Sequence, residues 1–317
     1  MKIEVLSDRT FSLTPAMLMQ IDAAAPGCEL EYHPAASATD LSGAEVVFGC
    51  PPAELLREAV NLKWHHLPNA AIQPYTHPAL YANPGITLTN SSGVYGAAIA
   101  EHVTAMVFSL ARNFPLYDRR RRENIWKRDD ESTVWVSGST AAVFGMGDLG
   151  RNVSAKLKAA GMKVIGIRRS LFEKPPCVDE LYDLRSFDDV LRRADFVICC
   201  LPLTNATRGL FDEHAFSAMD SRAFFINVGR GASVDTDALV SALKNGIIAG
   251  AALDVTDPEP LPKGHDLWGM DNVIITPHSS CVCDDVQERK LNLFLELLER
   301  YKNGRVLKNV VNFMQGY

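Results

Sequence analysis

The stretch from residue 141 to residue 167 constrains the fold more than any other part of the chain. A short apolar run, Ala141–Phe144, leads into a G-x-G-x-x-G pattern, and an amphipathic stretch and a second β-rich run follow. Such glycines allow a tight turn, close approach of a pyrophosphate to the backbone, and close packing of helix on strand. The helix that begins here would also offer free N–H groups to phosphate oxygens. The stretch therefore predicts a βαβ unit that binds a dinucleotide. The predicted phosphate-binding residues are Gly145, Met146, Gly147, Asp148, Leu149 and Gly150.

Short β-rich runs alternate with amphipathic stretches along almost the whole chain, which predicts an α/β protein built on parallel sheets. The candidate strands are Ile3–Leu6, Val46–Gly49, Leu62–His65, Thr87–Thr89, Ala141–Phe144, Lys163–Ile167, Phe196–Cys200, Ala223–Asn227, Ala249–Leu253 and Val273–Thr276. The last six are what a full dinucleotide-binding sheet requires. The candidate helices are Ala53–Val60, Ala97–Arg112, Arg151–Ala160 and Asp285–Tyr301. A length of 317 residues suggests two domains.

Composition and charge exclude several classes of protein. The net charge is −6, so we expect neither nucleic acid nor an anionic membrane as a partner. The first residues, Met1–Leu6, are typical of a strand and not of a signal peptide, and no apolar run is long enough to cross a bilayer. The seven cysteines are odd in number, which indicates reduced thiols and a cytoplasmic protein.

Two further clusters carry less information. Cys281 and Cys283 lack the second pair that a structural zinc site needs, so we expect no metal. The basic run Arg119–Arg122 is interpreted as a solvated face or a subunit contact, because no wider basic surface accompanies it.

The end of the second strand of the βαβ unit predicts the cofactor. Sites that select NAD place Asp or Glu there, about twenty residues beyond the glycines, to bind the ribose 2′-hydroxyl. This chain has Arg168, Arg169 and Ser170 instead, and no carboxylate occurs from Gly161 to Phe172. Guanidinium groups form charge-assisted bonds to phosphate oxygens, so these residues suit a 2′-phosphate. The sequence therefore predicts NADP, with NAD left as a possibility.

Three chemically different side chains follow three successive candidate strands. These are Arg230, Glu259 and His278, and in parallel α/β sheets the carboxyl ends of strands face the ligand crevice. An arginine can bind the carboxylate of a 2-keto acid, and a histidine can protonate the keto oxygen as hydride arrives. The glutamate would orient the imidazole and favour its charged form. Together they predict reversible hydride transfer between a nicotinamide and a small 2-keto or 2-hydroxy acid.

The chain resembles the D-isomer-specific 2-hydroxyacid dehydrogenase family over nearly its full length. The motifs that carry the resemblance are Gly145–Gly150, Leu201–Thr204 with Thr207, Asn227–Gly231, Leu253–Val255 with Glu259–Pro262, and Thr276–His278. The resemblance implies two Rossmann-like, doubly wound parallel-sheet domains and a D-2-hydroxy acid product. It implies a discontinuous substrate domain, 1–96 with 283–317, around a dinucleotide-binding domain, 97–282. It also implies the same catalytic set of arginine, glutamate and histidine.

Further site residues rest on the resemblance alone. It implies cofactor contacts by Leu201, Pro202, Thr204, Thr207, Val228, Gly229 and Asp254, the last near the nicotinamide carboxamide. It implies a loop that cradles the substrate carboxylate, made of Asn69, Ala70, Ala71 and Ile72. Family members commonly have glycine where this chain has Ala71, so a left-handed backbone there would be strained. With the long helix Ala97–Arg112, the resemblance also suggests a homodimer that the segment Phe114–Val136 could wrap.

Other members of the same fold remain alternatives. A formate dehydrogenase-like protein is expected to replace Glu259 with an amide, and a phosphoglycerate dehydrogenase-like protein often carries an extra domain beyond the segment that follows His278. A different class is a non-catalytic dinucleotide sensor that resembles the transcriptional corepressors of this fold. Turnover of a 2-keto acid with NADPH would distinguish the enzyme from the sensor.

Overall fold

The computed structural model describes residues 1–128, 132–171 and 173–313. It divides into two compact units, Met1–Val94 with the end of the chain from Cys283 onward, and Tyr95–Val282. The segment 283–317 predicted for the substrate domain ends in residues 314–317, which lie outside the described residues. Each unit holds a parallel sheet and helices, which confirms the predicted fold class of two Rossmann-like α/β domains.

The first unit is built on a parallel sheet with the strand order β2-β1-β3-β4-β5. Its elements are β1 (Lys2–Ser7), α1 (Pro15–Ala24), β2 (Glu29–Pro34), β3 (Val46–Gly49), α2 (Ala53–Leu56), β4 (Trp64–Leu67), β5 (Thr87–Asn90) and, from the end of the chain, the helix Val286–Lys302. That last helix packs its apolar stripe on the sheet: Phe294 stacks on Phe48 with ring centroids 4.2 Å apart and on Trp64 at 5.3 Å. The chain's end is therefore part of the core of this unit.

Several elements of this unit differ from the sequence prediction. The helix α1 was not predicted, and β4 lies at Trp64–Leu67, two residues beyond the predicted Leu62–His65. The edge strand β2 was not predicted, because its side chains are half-buried or exposed and include Glu29 and Glu31. Lys2 of the neighbouring strand pairs with Glu31 at 3.0 Å, so an ion pair contributes to this strand, which has no buried apolar face. The helix predicted over Ala53–Val60 ends at Leu56.

The second unit has the strand order β12-β11-β10-β9-β6-β7-β8, and all its strand pairs are parallel. Its elements are α3 (Gly96–Ala111), α4 (Phe114–Arg122), β6 (Thr140–Phe144), α5 (Asp148–Ala159), β7 (Lys163–Ile167), β8 (Glu180–Tyr182), α6 (Phe187–Arg193), β9 (Phe196–Cys199), α7 (Glu213–Ser217), β10 (Phe224–Asn227), α8 (Thr236–Lys244), β11 (Gly250–Leu253) and β12 (Val273–Ile275). In chain order, the helix Val286–Lys302 is therefore α9. The strand β8 was not predicted, because its three half-buried residues are too few for a pattern.

The segment after α3 is not a continuous loop, as was predicted, but begins with a helix. It forms α4, and the run Arg119–Arg122 makes ion pairs within this unit: Arg121 and Arg122 with Asp118, and Arg119 with Asp271. The part of this segment at 129–131 lies outside the described residues. Across the described ranges, no helix combines the length and apolar character needed to cross a membrane.

Candidate active site

The glycine turn has the steric features of a phosphate-binding loop. It joins the end of β6 to the start of α5, and Gly147 is the N-cap of that helix. A Cβ placed on Gly150 would lie 1.8 Å from the carbonyl oxygen of Gly145, so only glycine fits there. The helix N-terminus is thereby held close to the strand end, where its free N–H groups can bind an anion. Met146 is buried, and its carbonyl accepts a hydrogen bond from Arg151 Nε at 3.2 Å.

A cavity of about 480 Å³ lies at the end of β7. Its lining residues are Arg151, Asn152, Ala155, Arg168, Glu173, Lys174, Pro175, Pro176 and Cys177. Of the three residues predicted for a 2′-phosphate, Arg168 lines the cavity, whereas Arg169 and Ser170 do not. Two cations that the sequence analysis missed, Arg151 and Lys174, do line it. One carboxylate, Glu173, is also present, so three positive charges face one negative charge.

The loops after β9 and β10 are joined to each other. The N–H of Val228 donates to the carbonyl of Cys199 at 3.1 Å. The buried Thr207 hydroxyl accepts from the Thr204 N–H at 2.8 Å and donates to the Pro202 carbonyl at 2.7 Å. The motif that begins at Leu201 is therefore a rigid turn at the carboxyl end of the sheet, beside Val228 and Gly229.

Arg230 occupies the loop directly after β10. The Asn227 side chain fixes this loop, because its Nδ2 donates to the Arg230 carbonyl at 3.0 Å and its Oδ1 accepts from the Gly229 N–H at 3.0 Å. A Cβ on Gly231 would lie 1.8 Å from the Thr256 carbonyl oxygen, so the next strand's loop packs directly on this one. Burial lowers the pKa of Arg230, and the nearby Glu259 carboxylate opposes that shift. The guanidinium stays charged but is poorly hydrated, which strengthens its attraction for a carboxylate.

Glu259 and His278 are in contact. Nδ1 of His278 lies 2.6 Å from Oε1 of Glu259 in a short, charge-assisted hydrogen bond. A carboxylate accepts only, so Nδ1 carries the proton and Nε2 is the ring atom left for chemistry. Both side chains are about half exposed within their unit. The structure thus brings together two of the three predicted catalytic residues and places the charge of Glu259 close enough to affect Arg230.

Asp254 is buried at the end of β11, and its carboxylate is occupied by protein donors. It accepts hydrogen bonds from the Thr276 hydroxyl at 2.6 Å and from the Ser279 and Ser280 N–H groups at 2.9 and 3.2 Å. Burial alone would raise its pKa, but the hydrogen bonds from Ser280 and Thr276 hold the pKa of Asp254 below its ordinary value. The side chain is therefore an ionised anchor for the loop that carries His278.

The predicted substrate loop belongs to the first unit. The Asn69 carbonyl accepts from the Ser91 N–H at 3.1 Å, and the Ala70 carbonyl accepts from Asn90 Nδ2 at 3.0 Å. Ile72 is buried, which fixes the far end of the loop. Ala71 does not adopt a positive φ, so the strain expected for alanine at this position does not arise.

The comparisons with known proteins agree with this geometry. Residues 104–280 match the family described as "D-isomer specific 2-hydroxyacid dehydrogenase, NAD binding domain". A glyoxylate reductase from Aeropyrum pernix is 37% identical over 238 residues, which cover 72% of this chain and 70% of the relative. Among solved structures, a D-isomer specific 2-hydroxyacid dehydrogenase from Xanthobacter autotrophicus Py2, in complex with NADPH and MES, has a TM-score of 0.86 at 28% identity, covering 100% of this chain and 99% of that one. An NADPH-dependent glyoxylate/hydroxypyruvate reductase from Sinorhizobium meliloti, in complex with NADP and sulfate, has a TM-score of 0.84 at 29% identity, with coverage of 100% and 99%.

Proposed function

The chain belongs to the D-isomer specific 2-hydroxyacid dehydrogenase family, and from this premise we propose that it reduces a small 2-keto acid to the D-2-hydroxy acid, reversibly, with NADPH as the preferred cofactor. The observation that carries the proposal is the pair of His278 and Glu259, joined at 2.6 Å in the unit that also holds Arg230 and the glycine turn. Acidic, basic and anion-binding groups in one nucleotide-binding unit are what keto-acid reduction requires.

The residues present fit a nicotinamide dinucleotide, which supplies or accepts the hydride when it is bound. The turn at 145–150 would hold the pyrophosphate. The lack of a Cβ at Gly150 lets the start of α5 pack closely on the turn, which brings the N–H groups of the helix to the phosphates. The rigid turns at Leu201–Thr207 and Val228–Gly229 would line the cofactor cleft. Asp254 fits a structural role there better than a direct one, because its two oxygens already accept bonds from the loop of His278.

Arg230 would bind the carboxylate of the substrate. Its guanidinium is half-buried and charged, and a planar fork matches a carboxylate with two parallel hydrogen bonds. His278 would donate the proton from Nε2 to the keto oxygen in reduction and accept it in oxidation. Glu259 would fix the tautomer and the orientation of that ring through Nδ1. For the loop Asn69–Ile72 of the first unit, a role in substrate binding stays a prediction.

The preference for NADPH rests on the cavity at the end of β7. Arg151, Arg168 and Lys174 give it positive charge that one carboxylate, Glu173, only partly offsets. A 2′-phosphate carries close to two negative charges at neutral pH, so it gains from this cavity more than a 2′-hydroxyl does. Both solved relatives described above were crystallised with NADPH or NADP, which supports the same choice.

The names of the relatives suggest the size of the substrate. Glyoxylate and hydroxypyruvate, the substrates in those names, are small 2-keto acids. We expect this chain to accept compounds of the same class.

The test is a panel of 2-keto acids, from glyoxylate and hydroxypyruvate to branched and aromatic compounds, assayed with NADPH and with NADH. His278→Ala should lower kcat on the order of 10²- to 10⁴-fold, and NADPH should still bind by fluorescence titration. His214→Ala is the matched control, because His214 also pairs with a carboxylate, Asp188 at 3.1 Å, but lies on the exposed face of α7. Absence of turnover with every substrate, despite NADPH binding, would instead favour the non-catalytic dinucleotide sensor.

The cofactor preference has its own test. Arg168→Asp should reduce the ratio of kcat/KM with NADPH to that with NADH by on the order of 10- to 100-fold, the value of one charge-assisted hydrogen bond. Arg222→Asp reverses a charge outside the cavity, where Arg222 pairs with Asp220, and should leave the ratio unchanged. A wild-type preference for NADH would contradict the 2′-phosphate assignment without affecting the proposed reaction.

We also propose a homodimer formed through the second unit. The segment 114–136 exposes apolar side chains that water disfavours: Phe114 and Ile125 are about half exposed, Trp135 three-quarters, and Trp126 fully. A second copy covering this surface would bury them.

A further inference from the structure

The loop that carries His278 has a backbone that needs support. His278 adopts a φ of +50°, in the left-handed region that side-chain-bearing residues rarely occupy. Such a conformation is energetically unfavourable and persists only when its surroundings impose it. Here they do, because the His278 N–H donates to the Asp254 carbonyl at 2.9 Å, and the next two N–H groups donate to the Asp254 carboxylate. Asp254 therefore sets the backbone from which the imidazole projects.

Thr276 connects this anchor to a histidine that the sequence analysis did not select. Its hydroxyl lies 2.6 Å from Oδ1 of Asp254 and 3.0 Å from Nε2 of His102 on α3. A carboxylate cannot donate, so the single hydroxyl proton of Thr276 goes to Asp254. The oxygen of Thr276 must then accept the Nε2–H of His102. The hydrogen bonds run in one direction, from His102 through Thr276 to Asp254.

The two ends of this hydrogen-bonded chain, His102 and Asp254, also lie close to each other. Nε2 of His102 lies 3.9 Å from Oδ1 of Asp254, and the His102 side chain is three-quarters covered. Without the His102 donor, the Thr276 oxygen would lose a hydrogen-bond partner in a partly buried place, and its rotamer would no longer be fixed from both sides. Asp254 would then hold the 276–280 loop less firmly.

We infer that His102 is a positioning residue for His278: through Thr276 it fixes the Asp254 carboxylate, and the carboxylate fixes the left-handed loop that aims the imidazole. His102 need not touch substrate or cofactor for this role. The inference rests on the proposed function, in which His278 carries the proton. The donor lies on α3, whereas the groups that it orders lie just after β11 and β12.

The test compares paired substitutions at two positions. His102→Leu removes the donor, and His102→Gln restores an N–H near the place of Nε2. Thr276→Val removes the hydroxyl at constant shape, and Thr276→Ser retains it. We expect His102→Leu and Thr276→Val each to lower kcat and kcat/KM for keto-acid reduction about tenfold, because a displacement well below 1 Å already impairs proton transfer. The conservative variants should recover most of the rate. His214→Leu serves as the control for the loss of a histidine elsewhere in this unit.

A double-mutant cycle distinguishes positioning from general destabilisation. If His102 acts through Thr276, the double variant His102→Leu/Thr276→Val should be no slower than either single variant, whereas independent effects would multiply. An unchanged kcat in His102→Leu, or losses that multiply, would overturn the inference. Should His102→Leu fail to fold, His102→Met, which also lacks a donor, takes its place in the comparison with His102→Gln and in the cycle.

A readout without turnover separates this inference from the proposed function. The ring C–H signals of His278, identified by their loss in His278→Ala, can be followed by NMR in the full chain. They should move in His102→Leu and return in His102→Gln. Unmoved signals would refute the positioning role even if the enzyme is active, and moved signals would support it even if no substrate in the panel is turned over.

Discussion

Two adjacent buried histidines should make the first unit sensitive to mild acid. His65 and His66 on β4 are fully buried. Nε2 of His65 lies 2.9 Å from the Gly49 carbonyl, and Nδ1 of His66 lies 2.8 Å from the Thr89 hydroxyl. Burial lowers the pKa of His65 to about 4. Burial, with His65 as a neighbour, lowers the pKa of His66 to about 3. Both rings are therefore neutral in the folded protein far below the pH at which an exposed imidazole is charged.

The sign of the effect on stability follows from these shifts. In the unfolded chain each imidazole titrates near 6.5. Above that pH neither state binds the protons, and the full stability is present. As the pH falls from 6.5 towards 4 the unfolded chain binds two protons that the folded chain does not, so the free energy of unfolding falls. At about 1.4 kcal/mol per pH unit for each ring, the loss between pH 7.5 and pH 5 is about 4 kcal/mol. That is a large part of the roughly 5–15 kcal/mol typical of a domain.

Urea unfolding at pH 7.5 and pH 5 measures this loss, and tryptophan fluorescence reports on the correct unit. Among the four tryptophans, all of which the structure describes, Trp64 alone is buried, and its ring lies 6.1 Å from that of His66. The other three are more than half exposed, so unfolding changes their surroundings less. A unit-specific signal matters because a chain of two units need not unfold in one step.

Substitution of one histidine should halve the effect. His65→Gln keeps a donor for the Gly49 carbonyl but cannot titrate, so its loss between pH 7.5 and pH 5 should fall to about 2 kcal/mol. His214→Gln, at an exposed position on α7, should leave the loss at about 4 kcal/mol. A wild-type stability that does not change with pH in this range, or a full loss in His65→Gln, would show that the two buried histidines do not cause the acid sensitivity. The same loss would limit activity measurements at acidic pH.

Three further outcomes test the second unit. Gly150→Ala places a Cβ 1.8 Å from the Gly145 carbonyl, so it should lower Tm by the equivalent of roughly 1–3 kcal/mol and weaken NADPH binding. Gly147→Ala, with open space around it, should lower Tm less, because it changes only the N-cap; calorimetry and a fluorescence titration would check both. Arg230→Lys, which loses the planar fork, should raise KM for the keto acid about tenfold or more, and an unchanged KM would exclude a bidentate contact. Sedimentation at micromolar concentration should give a dimer that Trp126→Lys weakens, and a wild-type monomer would contradict the proposed assembly.

Much of the second unit could be predicted because its strands and its glycine turn have characteristic local sequence patterns. The glycine turn needs small residues at fixed spacing, and the strands around it are buried on both faces, so their sequences are continuous apolar runs. The residues Arg230, Glu259 and His278 could be selected because each follows a strand, and parallel strands end at one edge of the sheet. The edge strands β2 and β8 were not predicted, because β2 has no buried side chain and β8 has only three half-buried residues.

The cavity at the end of β7 shows what sequence patterns could not predict. Arg168, Arg169 and Ser170 are consecutive, and the sequence treats them alike, but the backbone turns between them and only Arg168 lines the cavity. Arg151 and Lys174 reach the same space from α5 and from the loop after β7. No short sequence motif links Arg151 or Lys174 to Arg168, so their proximity could not be predicted.

Local spacing and burial patterns are enough to predict the βαβ alternation, the glycine turn and the residue types that follow the strands. Which of these groups meet depends on the packing of the whole second unit. It brought Glu259 to Nδ1 of His278, and it joined His102 on α3 to Thr276 and Asp254 across more than 150 positions of chain. Hydrogen bonds between distant segments depend on how helices and strands pack in three dimensions, and neither periodicity nor composition encodes that packing locally.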